Sequence, residues 1–260
     1  MKNQLLISTL AVAVAVLSAC QPGQQADEKA TATPVDTSAA NVLTAAEAAE
    51  GWTLLFDGQS LSQWRSYSQA EAPQLGWVIK DGALVIENPP NPRPEGFGGD
   101  IITKEKFGNF DFSVDFMITE TANSGIFYFI IEDSSHAMWN FAPEYQIIDH
   151  EGYAKKSPDF NMDTHRTGDN YDMESSAGQY MKPVGEWNTA RIVHNNGKVE
   201  HWLNGQKCLE YEVGSPKWKE QLAKSKFKEF PQYGLAKEGH LGLQDHGNEV
   251  RFRNIKVRRL

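Results

Sequence analysis

The stretch that decides the fold is Phe110-Asp111-Phe112-Ser113-Val114-Asp115-Phe116-Met117-Ile118. Its apolar residues stand at every second position, and polar residues fill most of the positions between them. Successive side chains of a β-strand point to opposite faces, so this alternation predicts a strand with one face in a core.

Shorter strand-like runs lie on both sides of this strand, most of them alternating and one nearly all apolar, and turn residues separate them. They cover residues 53–56, 77–79, 83–86, 125–131, 188–194, 198–203 and 250–257. Asp81-Gly82, between two of these runs, is a hairpin signal. A helix is expected from Ser215-Pro216 to about Phe230, because proline favours the first helical position. This pattern predicts an all-β sandwich with one short peripheral helix.

The first 19 residues are interpreted as a signal peptide. Lys2 precedes an apolar segment, 10–17, that is too short to span a membrane. The following Leu17-Ser18-Ala19-Cys20 resembles a bacterial lipobox, which implies cleavage before Cys20 and lipidation of that cysteine. An ordinary cleaved signal peptide is the alternative. Gln21 is not an acidic retention signal for the inner membrane, so we expect a lipid anchor in the outer membrane, facing the periplasm.

Residues 20–50 are rich in Ala, Thr, Gln and Pro without apolar periodicity, which predicts a flexible tether. Residues 51–260 then form one domain, large enough to bury its own core. The formal net charge of −9 argues against nucleic acid or anionic lipid as partners. Cys208 lies in an alternating run and is expected to be a buried structural thiol rather than a nucleophile.

The run Glu144-Tyr145-Gln146-Ile147-Ile148-Asp149 contains the first candidate catalytic groups. In a strand, Glu144 and Gln146 share one face while Tyr145 and Ile147 enter the core. Asp149 has the wrong parity for that face unless a β-bulge re-aims it, and bulges are frequent beside active sites. A half-buried strand with a polar outer face is the alternative interpretation.

A second run, from His240 to His246, offers a matching face. If Leu241 and Leu243 face the core, Gln244 and His246 lie together on the opposite face. A histidine beside a carboxylate can act as general acid or base near neutral pH. A turn with a solvated His246 is the alternative.

The polar segment 149–173 is expected to be a long loop that carries function. Four of its side chains are of types that bind metals, although no spacing is diagnostic: His150, Asp163, His165 and Asp169. If the protein binds a divalent metal, Asp149, His150 and His165 are the first candidates.

A series of further motifs extends along the chain. The motifs are Trp52-Thr53-Leu54-Leu55-Phe56-Asp57-Gly58 with Trp64, Gly99-Asp100-Ile101-Ile102-Thr103, Asn123-Ser124-Gly125-Ile126, the run 144–149, Gly185-Glu186-Trp187-Asn188, Ser225-Lys226-Phe227 and 239–255. Taken in this order they resemble the 3-keto-disaccharide hydrolase domain family, over nearly all of 51–260. The resemblance implies a concanavalin A-like jelly-roll sandwich of two antiparallel sheets, similar in fold to laminarinase-type glycosidases.

Laminarinase-type enzymes carry Glu-x-Asp-x-Glu, or a form with one extra residue, on a concave strand. Here Gln146 replaces the middle acid and Asp149 the last, which argues against a double-displacement mechanism. The substrate implied by the family offers another route, because a ketone at C3 acidifies the hydrogen on C2. A base removes that hydrogen, the C1 substituent leaves by elimination, and water adds across the double bond.

The resemblance and the face patterns together give a set of candidate site residues. They are Glu144, Asp149 and His246 for the acid and base steps, in no fixed order; Gln146 and Gln244 for orienting the sugar; Arg166 or a bound cation for stabilising the enolate; and Tyr171 and Trp139 for stacking on the ring. No cofactor is required by this scheme, and the divalent metal considered above is its one optional component.

Two functions stay open at this point. The first is an enzyme that cleaves the glycosidic bond of 3-keto-glucosides or 3-keto-disaccharides, supplied by a partner sugar oxidoreductase. The second is a non-catalytic, lectin-like carbohydrate-binding module. Titratable candidates at compatible positions favour the enzyme, because a lectin needs only aromatic and amide side chains.

Overall fold

The chain folds into two antiparallel β-sheets that pack face to face. A computed structural model describes residues 40–133, 135–178 and 180–260. The predicted all-β sandwich is therefore confirmed, including the long strand over Phe110–Ile118.

The strands are β1 (Trp52–Leu54), β2 (Trp64–Ser66), β3 (Trp77–Lys80), β4 (Ala83–Ile86), β5 (Ile101–Thr103), β6 (Phe110–Ile118), β7 (Asn123–Ile130), β8 (Glu144–Ile148), β9 (Asn188–Asn195), β10 (Lys198–Leu203), β11 (Gln206–Glu212), β12 (His240–Leu243) and β13 (Val250–Arg259). The α-helices are α1 (Ala45–Ala49), α2 (His150–Lys156) and α3 (Pro216–Lys224). Two 3-10 helices cover Met138–Asn140 and Lys226–Glu229.

The large sheet has the strand order β11-β10-β9-β6-β13-β4-β3, and β1 also pairs with β13. Short hairpins join the strands that are consecutive in the chain. At the turn between β3 and β4, both Asp81 and Gly82 have positive φ, 53° and 71°. A two-residue turn of this kind matches the twist of a hairpin, which explains why Asp81-Gly82 correctly predicts the hairpin of β3 and β4.

The small sheet has the order β2-β5-β12-β7-β8. Its inner face and the inner face of the large sheet bury the main core, to which β6 contributes Phe110, Phe112 and Phe116. Tyr145 and Ile147 of β8 belong to the same core. Alternate residues of β8 must therefore lie on the outer face of the small sheet.

A second, smaller apolar cluster covers part of that outer face. It consists of Ile102, Phe127, Ile130, Met138 and Ala142. The 3-10 helix Met138–Asn140 thus packs over β5 and β7, and its Trp139 is left at the edge of the uncovered area.

The predicted tether over 20–50 is too long at its C-terminal end. Thr44 caps α1, and its side chain and that of Glu47 form a reciprocal capping box. Asn41 is buried and exchanges hydrogen bonds with Asn254 on β13, at 2.6 and 2.8 Å. The domain therefore begins by residue 41 rather than at residue 51.

The helix prediction was also incomplete. Ser215 and Pro216 open α3 as expected, but α3 ends at Lys224 and a 3-10 helix follows. The segment interpreted as a long loop begins with α2, so the protein has more than one peripheral helix. Within the described ranges, no helix is long and apolar enough to cross a membrane. The predicted signal peptide, Cys20 and most of the tether lie outside these ranges.

Candidate active site

One cavity lies on the outer face of the small sheet, at the ends of β7, β8 and β12. Its volume is about 140 Å³. The residues that line it are Asn123, Trp139, Glu144, Gln146, Tyr171, Lys226, Gln244 and His246. All but two of them, Asn123 and Lys226, are candidates from the sequence, so the structure brings most of the predicted site together.

Glu144 is held at the floor of this cavity by its strand. β8 pairs with β7 without a register shift, which keeps Glu144 and Gln146 on one face, as predicted. The Glu144 side chain leans across Gly125 of β7, where an added Cβ would lie 2.2 Å from its Oε1 atom. Glycine at position 125 therefore provides the space that the carboxyl group occupies.

The Glu144 carboxyl group is set up to hold a proton. Only 4% of the residue is exposed, and burial raises its pKa to about 8. The positive charge of Lys226 opposes this rise, and the negative charge of Asp100 adds to it. At pH 7 the group is consequently mostly protonated, unlike an ordinary glutamate.

Lys226 supplies a cation beside this carboxyl group. Its backbone N–H donates to Asp172 at 2.6 Å, and its Nζ atom lies 4.2 Å from the ring centre of Tyr171 and 5.1 Å from that of Trp139. Burial lowers the pKa of Lys226, while the charges of Glu144 and Asp172 oppose that shift. The ammonium group therefore lies between the two aromatic walls of the cavity.

Three amide side chains present unpaired polar atoms. Gln146 accepts a hydrogen bond from the Ile147 N–H at 3.1 Å through Oε1, but its Nε2 atom has no partner among the described residues. The same holds for Asn123 Oδ1 and Gln244 Oε1. Leaving a buried polar atom unpaired costs about 1–3 kcal/mol. A ligand rich in hydroxyl and carbonyl groups would satisfy all three.

His246 stands at the rim of the cavity, beyond the end of β12, and much of its side chain is exposed. Desolvation at the cavity wall lowers the pKa of His246, and its own backbone and the Asp245 carboxylate oppose that shift. Lys226 contributes a further lowering. The imidazole is therefore mostly neutral at pH 7. The pKa of His246 is lowered, whereas that of Glu144 is raised.

Asp149 does not reach the cavity, so its candidate role in acid and base catalysis is not supported by the geometry. No bulge re-aims it, because β8 ends at Ile148 and Asp149 becomes the N-cap of α2. Its carboxylate accepts hydrogen bonds from the Gly152 N–H at 3.1 Å and the Thr121 N–H at 2.8 Å. A side chain that satisfies a helix end in this way has a structural explanation.

The suggested metal ligands are not assembled either. His150 opens α2, whereas Asp149 binds the backbone as described. His165 Nδ1 lies 2.5 Å from the Asn161 carbonyl oxygen, and its Nε2 lies 3.2 Å from Asp172. Across 40–133, 135–178 and 180–260, no group of three or more His, Cys, Asp or Glu side chains is arranged to hold a metal ion.

Arg166 does not line the cavity, although its neighbours help to build it. The segment after it runs along the free edge of β8: the Gly168 N–H donates to the Gln146 carbonyl, and the Tyr171 N–H donates to the Glu144 carbonyl, both at 3.0 Å. These hydrogen bonds place the Tyr171 ring against the cavity. The cation there is Lys226 rather than the predicted Arg166.

Sequence reasoning did not assign a role to Lys226 or Asn123. Both residues stood inside motifs of the family resemblance, Ser225-Lys226-Phe227 and Asn123-Ser124-Gly125-Ile126. Membership of these motifs is the one sequence feature that could have identified the two residues as part of the site, because neither belongs to a face pattern. The predicted thiol was assigned correctly: Cys208 is buried and unpaired, and burial raises its pKa to about 12.

Comparisons with known proteins agree with this architecture. The 3-keto-alpha-glucoside-1,2-lyase-like domain matches residues 51–258. A 3-keto-disaccharide hydrolase of Bacteroides thetaiotaomicron is 33% identical, with 95% of each chain covered.

Two crystal structures of Parabacteroides distasonis proteins, each described as a candidate glycosyl hydrolase, share the fold. One is 35% identical with a TM-score of 0.77, covering 85% of this chain and 99% of the other. The second is 26% identical with a TM-score of 0.59, covering 80% of this chain and 99% of the other. The predicted jelly-roll sandwich is thereby supported by solved structures.

Proposed function

The chain belongs to the 3-keto-alpha-glucoside-1,2-lyase-like domain family, and from that premise we propose that it cleaves the glycosidic bond of 3-keto-glucosides or 3-keto-disaccharides by elimination followed by hydration. The observation that carries the proposal is the convergence of Glu144, His246 and Lys226 on one cavity. Burial raises the pKa of Glu144 to about 8, and desolvation lowers the pKa of His246, which suits the two groups to opposite proton transfers.

The reaction begins with loss of the C2 proton. The electron pair of the C2–H bond becomes the second bond between C2 and C3. The π electrons of the C3 carbonyl move onto its oxygen, which gives the enolate. When the C3 carbonyl forms again, a double bond develops between C1 and C2, and the C1–O bond breaks with its electron pair on the leaving oxygen. That oxygen takes a proton. Water then adds its oxygen to C1 and a hydrogen to C2, which gives the 3-keto sugar.

The opposite pKa shifts of the two groups support a division of the two proton transfers between them. A neutral imidazole accepts a proton, so His246 is the base that removes the C2 hydrogen. A protonated carboxyl group gives one up, so Glu144 is the acid at the leaving oxygen. Groups whose pKa values are moved apart by their surroundings commonly divide acid and base work in this way.

The negative charge on the enolate oxygen requires a fixed positive partner. Lys226 supplies it, and the free Nε2 group of Gln146 adds a hydrogen-bond donor. Donors that are already in place when charge develops stabilise a transition state without a reorganisation cost. Asn123 and Gln244 offer acceptor oxygens to the remaining hydroxyl groups of the ring.

The shape of the cavity suits a single sugar ring. Its volume of about 140 Å³ is below the roughly 300–1,000 Å³ typical of pockets for drug-sized ligands. Trp139 and Tyr171 supply flat aromatic surfaces beside it. We infer that the oxidised ring enters and stacks there while the leaving group stays outside.

Cleavage assays with matched substrates test this proposal. The purified domain should cleave a 3-keto-glucoside and leave the unoxidised glucoside intact, because only the ketone acidifies C2. Glu144→Gln and His246→Ala should each reduce cleavage to a small residual rate while retaining binding. Equal cleavage of both substrates would contradict elimination. Binding without any cleavage would instead support the carbohydrate-binding module.

The cellular setting is also a proposal. The lipobox-like residues support a chain that is anchored through Cys20 to the outer membrane and faces the periplasm. A sugar oxidoreductase would supply the ketone that the elimination requires. Cys20→Ala should release the protein from the membrane fraction. Retention of that variant in the membrane fraction would overturn the anchor.

A further inference from the structure

Asp100 lies on the same sheet face as the cavity residues, although it is not part of the cavity wall. β5 and β12 are antiparallel, with Gly242 opposite Ile102 and Leu243 opposite Ile101. Continued by one residue on each strand, this register places Gln244 opposite Asp100. Residues that face each other in a register point to the same side of a sheet. Asp100 is therefore the cross-strand neighbour of Gln244 on the outer face.

The Glu144 carboxyl group reaches towards Asp100 across this face. Glu144 belongs to the edge strand β8, but its side chain lies over Gly125 of β7. From β7 to β5 there are two strand spacings, with β12 between them. At about 4.8 Å per spacing the two carboxyl groups stand roughly 10 Å apart, with Gln244 between them.

The charge of Asp100 is not cancelled by an ion pair within the described ranges. Its Oδ1 atom accepts one hydrogen bond, from the Asp245 N–H at 2.9 Å. The nearby Arg93 is engaged by Asp245, at 2.5 Å. Burial raises the pKa of Asp100 to about 6, so at pH 7 the carboxylate is mostly ionised and acts on its surroundings.

We propose that Asp100 is a positioning residue of the site, which acts through Glu144: its negative charge adds to burial in disfavouring ionisation of the Glu144 carboxyl group. Two carboxylates on one partly desolvated face resist ionising together. The acid that the elimination needs is then maintained by burial together with a residue that does not touch the sugar. The inference deepens the proposed function and rests on it for its catalytic meaning.

Other charged and titratable groups face the same pair. Around Glu144 they are Lys226, His246, Tyr128, Tyr171 and Tyr233; around Asp100 they are Asp245 and Arg93. Lys226 opposes the effect of Asp100, and the tyrosines are neutral at pH 7. Asp100 is thus the acidic group whose charge, together with burial, raises the pKa of Glu144.

The test is a direct titration of Glu144 by NMR in protein labelled with carboxyl-¹³C glutamate. The Glu144 signal is identified by its loss in Glu144→Gln. In Asp100→Asn the midpoint should fall by about one pH unit, as expected for a charge roughly 10 Å away in a medium of intermediate dielectric constant. The basic limb of the pH profile of kcat/KM should move by the same amount.

Glu105→Gln is the matched control, because Glu105 follows β5 as Asp100 precedes it, and it pairs with Arg259 at the surface. In the Glu105→Gln variant, the midpoint of the Glu144 titration should equal that of the wild type. If Asp100→Asn does not fold, Asp100→Ser removes the same charge. An unchanged midpoint in the charge-removing variant would overturn the proposal. A wild-type protein without cleavage would defeat the proposed function, yet the titration would still decide the role of Asp100.

Discussion

Gly125 lies beneath the carboxyl group of Glu144, and any side chain at position 125 would occupy its place: a Cβ there would come within 2.2 Å of Glu144 Oε1. The relationship links two neighbouring strands, since Gly125 belongs to β7 and Glu144 to β8. The position of the proposed acid therefore depends on the absence of a side chain on the adjacent strand.

Gly125→Ala should lower kcat/KM by about 100-fold, because the carboxyl group would be displaced by about an ångström from its working position. Steady-state kinetics on a 3-keto-glucoside measure this. Gly108→Ala is the control, since a Cβ there would meet only the Lys237 carbonyl oxygen, at 3.3 Å, away from the cavity. Full activity of Gly125→Ala would show that Glu144 is not needed where the structure places it.

The pH profile of kcat/KM should be bell-shaped. Its basic limb should have a midpoint near 8, the pKa of Glu144, because the acid is lost as this group ionises. Its acid limb should lie below the ordinary histidine value of about 6.5, because desolvation lowers the pKa of His246. Glu144→Gln should retain little activity and no basic limb. A basic limb that survives in this variant would belong to another group.

Lys226→Met should reduce kcat by about 10²–10³-fold, because the enolate would lose its positive partner. The variant should also move the basic limb to higher pH, since Lys226 opposes the rise of the Glu144 pKa. Lys224→Met is a suitable control, because Lys224 pairs with Glu220 on the exposed face of α3. A basic limb that moves to lower pH would contradict the placement of the Lys226 charge.

Removal of metal ions should leave the reaction intact. The proposed steps use side chains alone, and the predicted ligands Asp149 and His165 are engaged by the backbone and by Asp172. Activity after dialysis against EDTA should therefore equal that of the untreated protein. A loss that added divalent metal restores would require a metal in the mechanism.

The alternating strand patterns correctly predicted which face of the sheet the side chains of β8 occupy. Glu144 and Gln146 share the outer face while Tyr145 enters the core, because side-chain alternation is a local property of any strand. Gln244 and His246 also meet in the cavity, as predicted, although both lie beyond the last residue of β12 and outside the reach of that rule.

Other parts of the site depend on information that alternation does not contain. Lys226 reaches the cavity from the 3-10 helix after α3, and only tertiary packing brings that segment to β8. Asp149 lies outside the cavity lining because it is the N-cap of α2, and the parity of a strand does not reveal where a helix begins. The capping box of Thr44 and Glu47 was a readable signal for α1, but the composition of the flanking residues suggested a tether.

The central claim is that the C2 hydrogen is removed during cleavage, and the most direct measurement is the isotope content of the product formed in D₂O. Elimination and hydration predict one deuterium at C2 of the released 3-keto sugar at early times, measured by mass spectrometry and NMR against the same sugar incubated without enzyme. Because His246 is exposed, the proton that it takes exchanges with D₂O before hydration. A product that retains its original C2 hydrogen would then show that the C1–O bond is broken without the enolate, and would contradict the account.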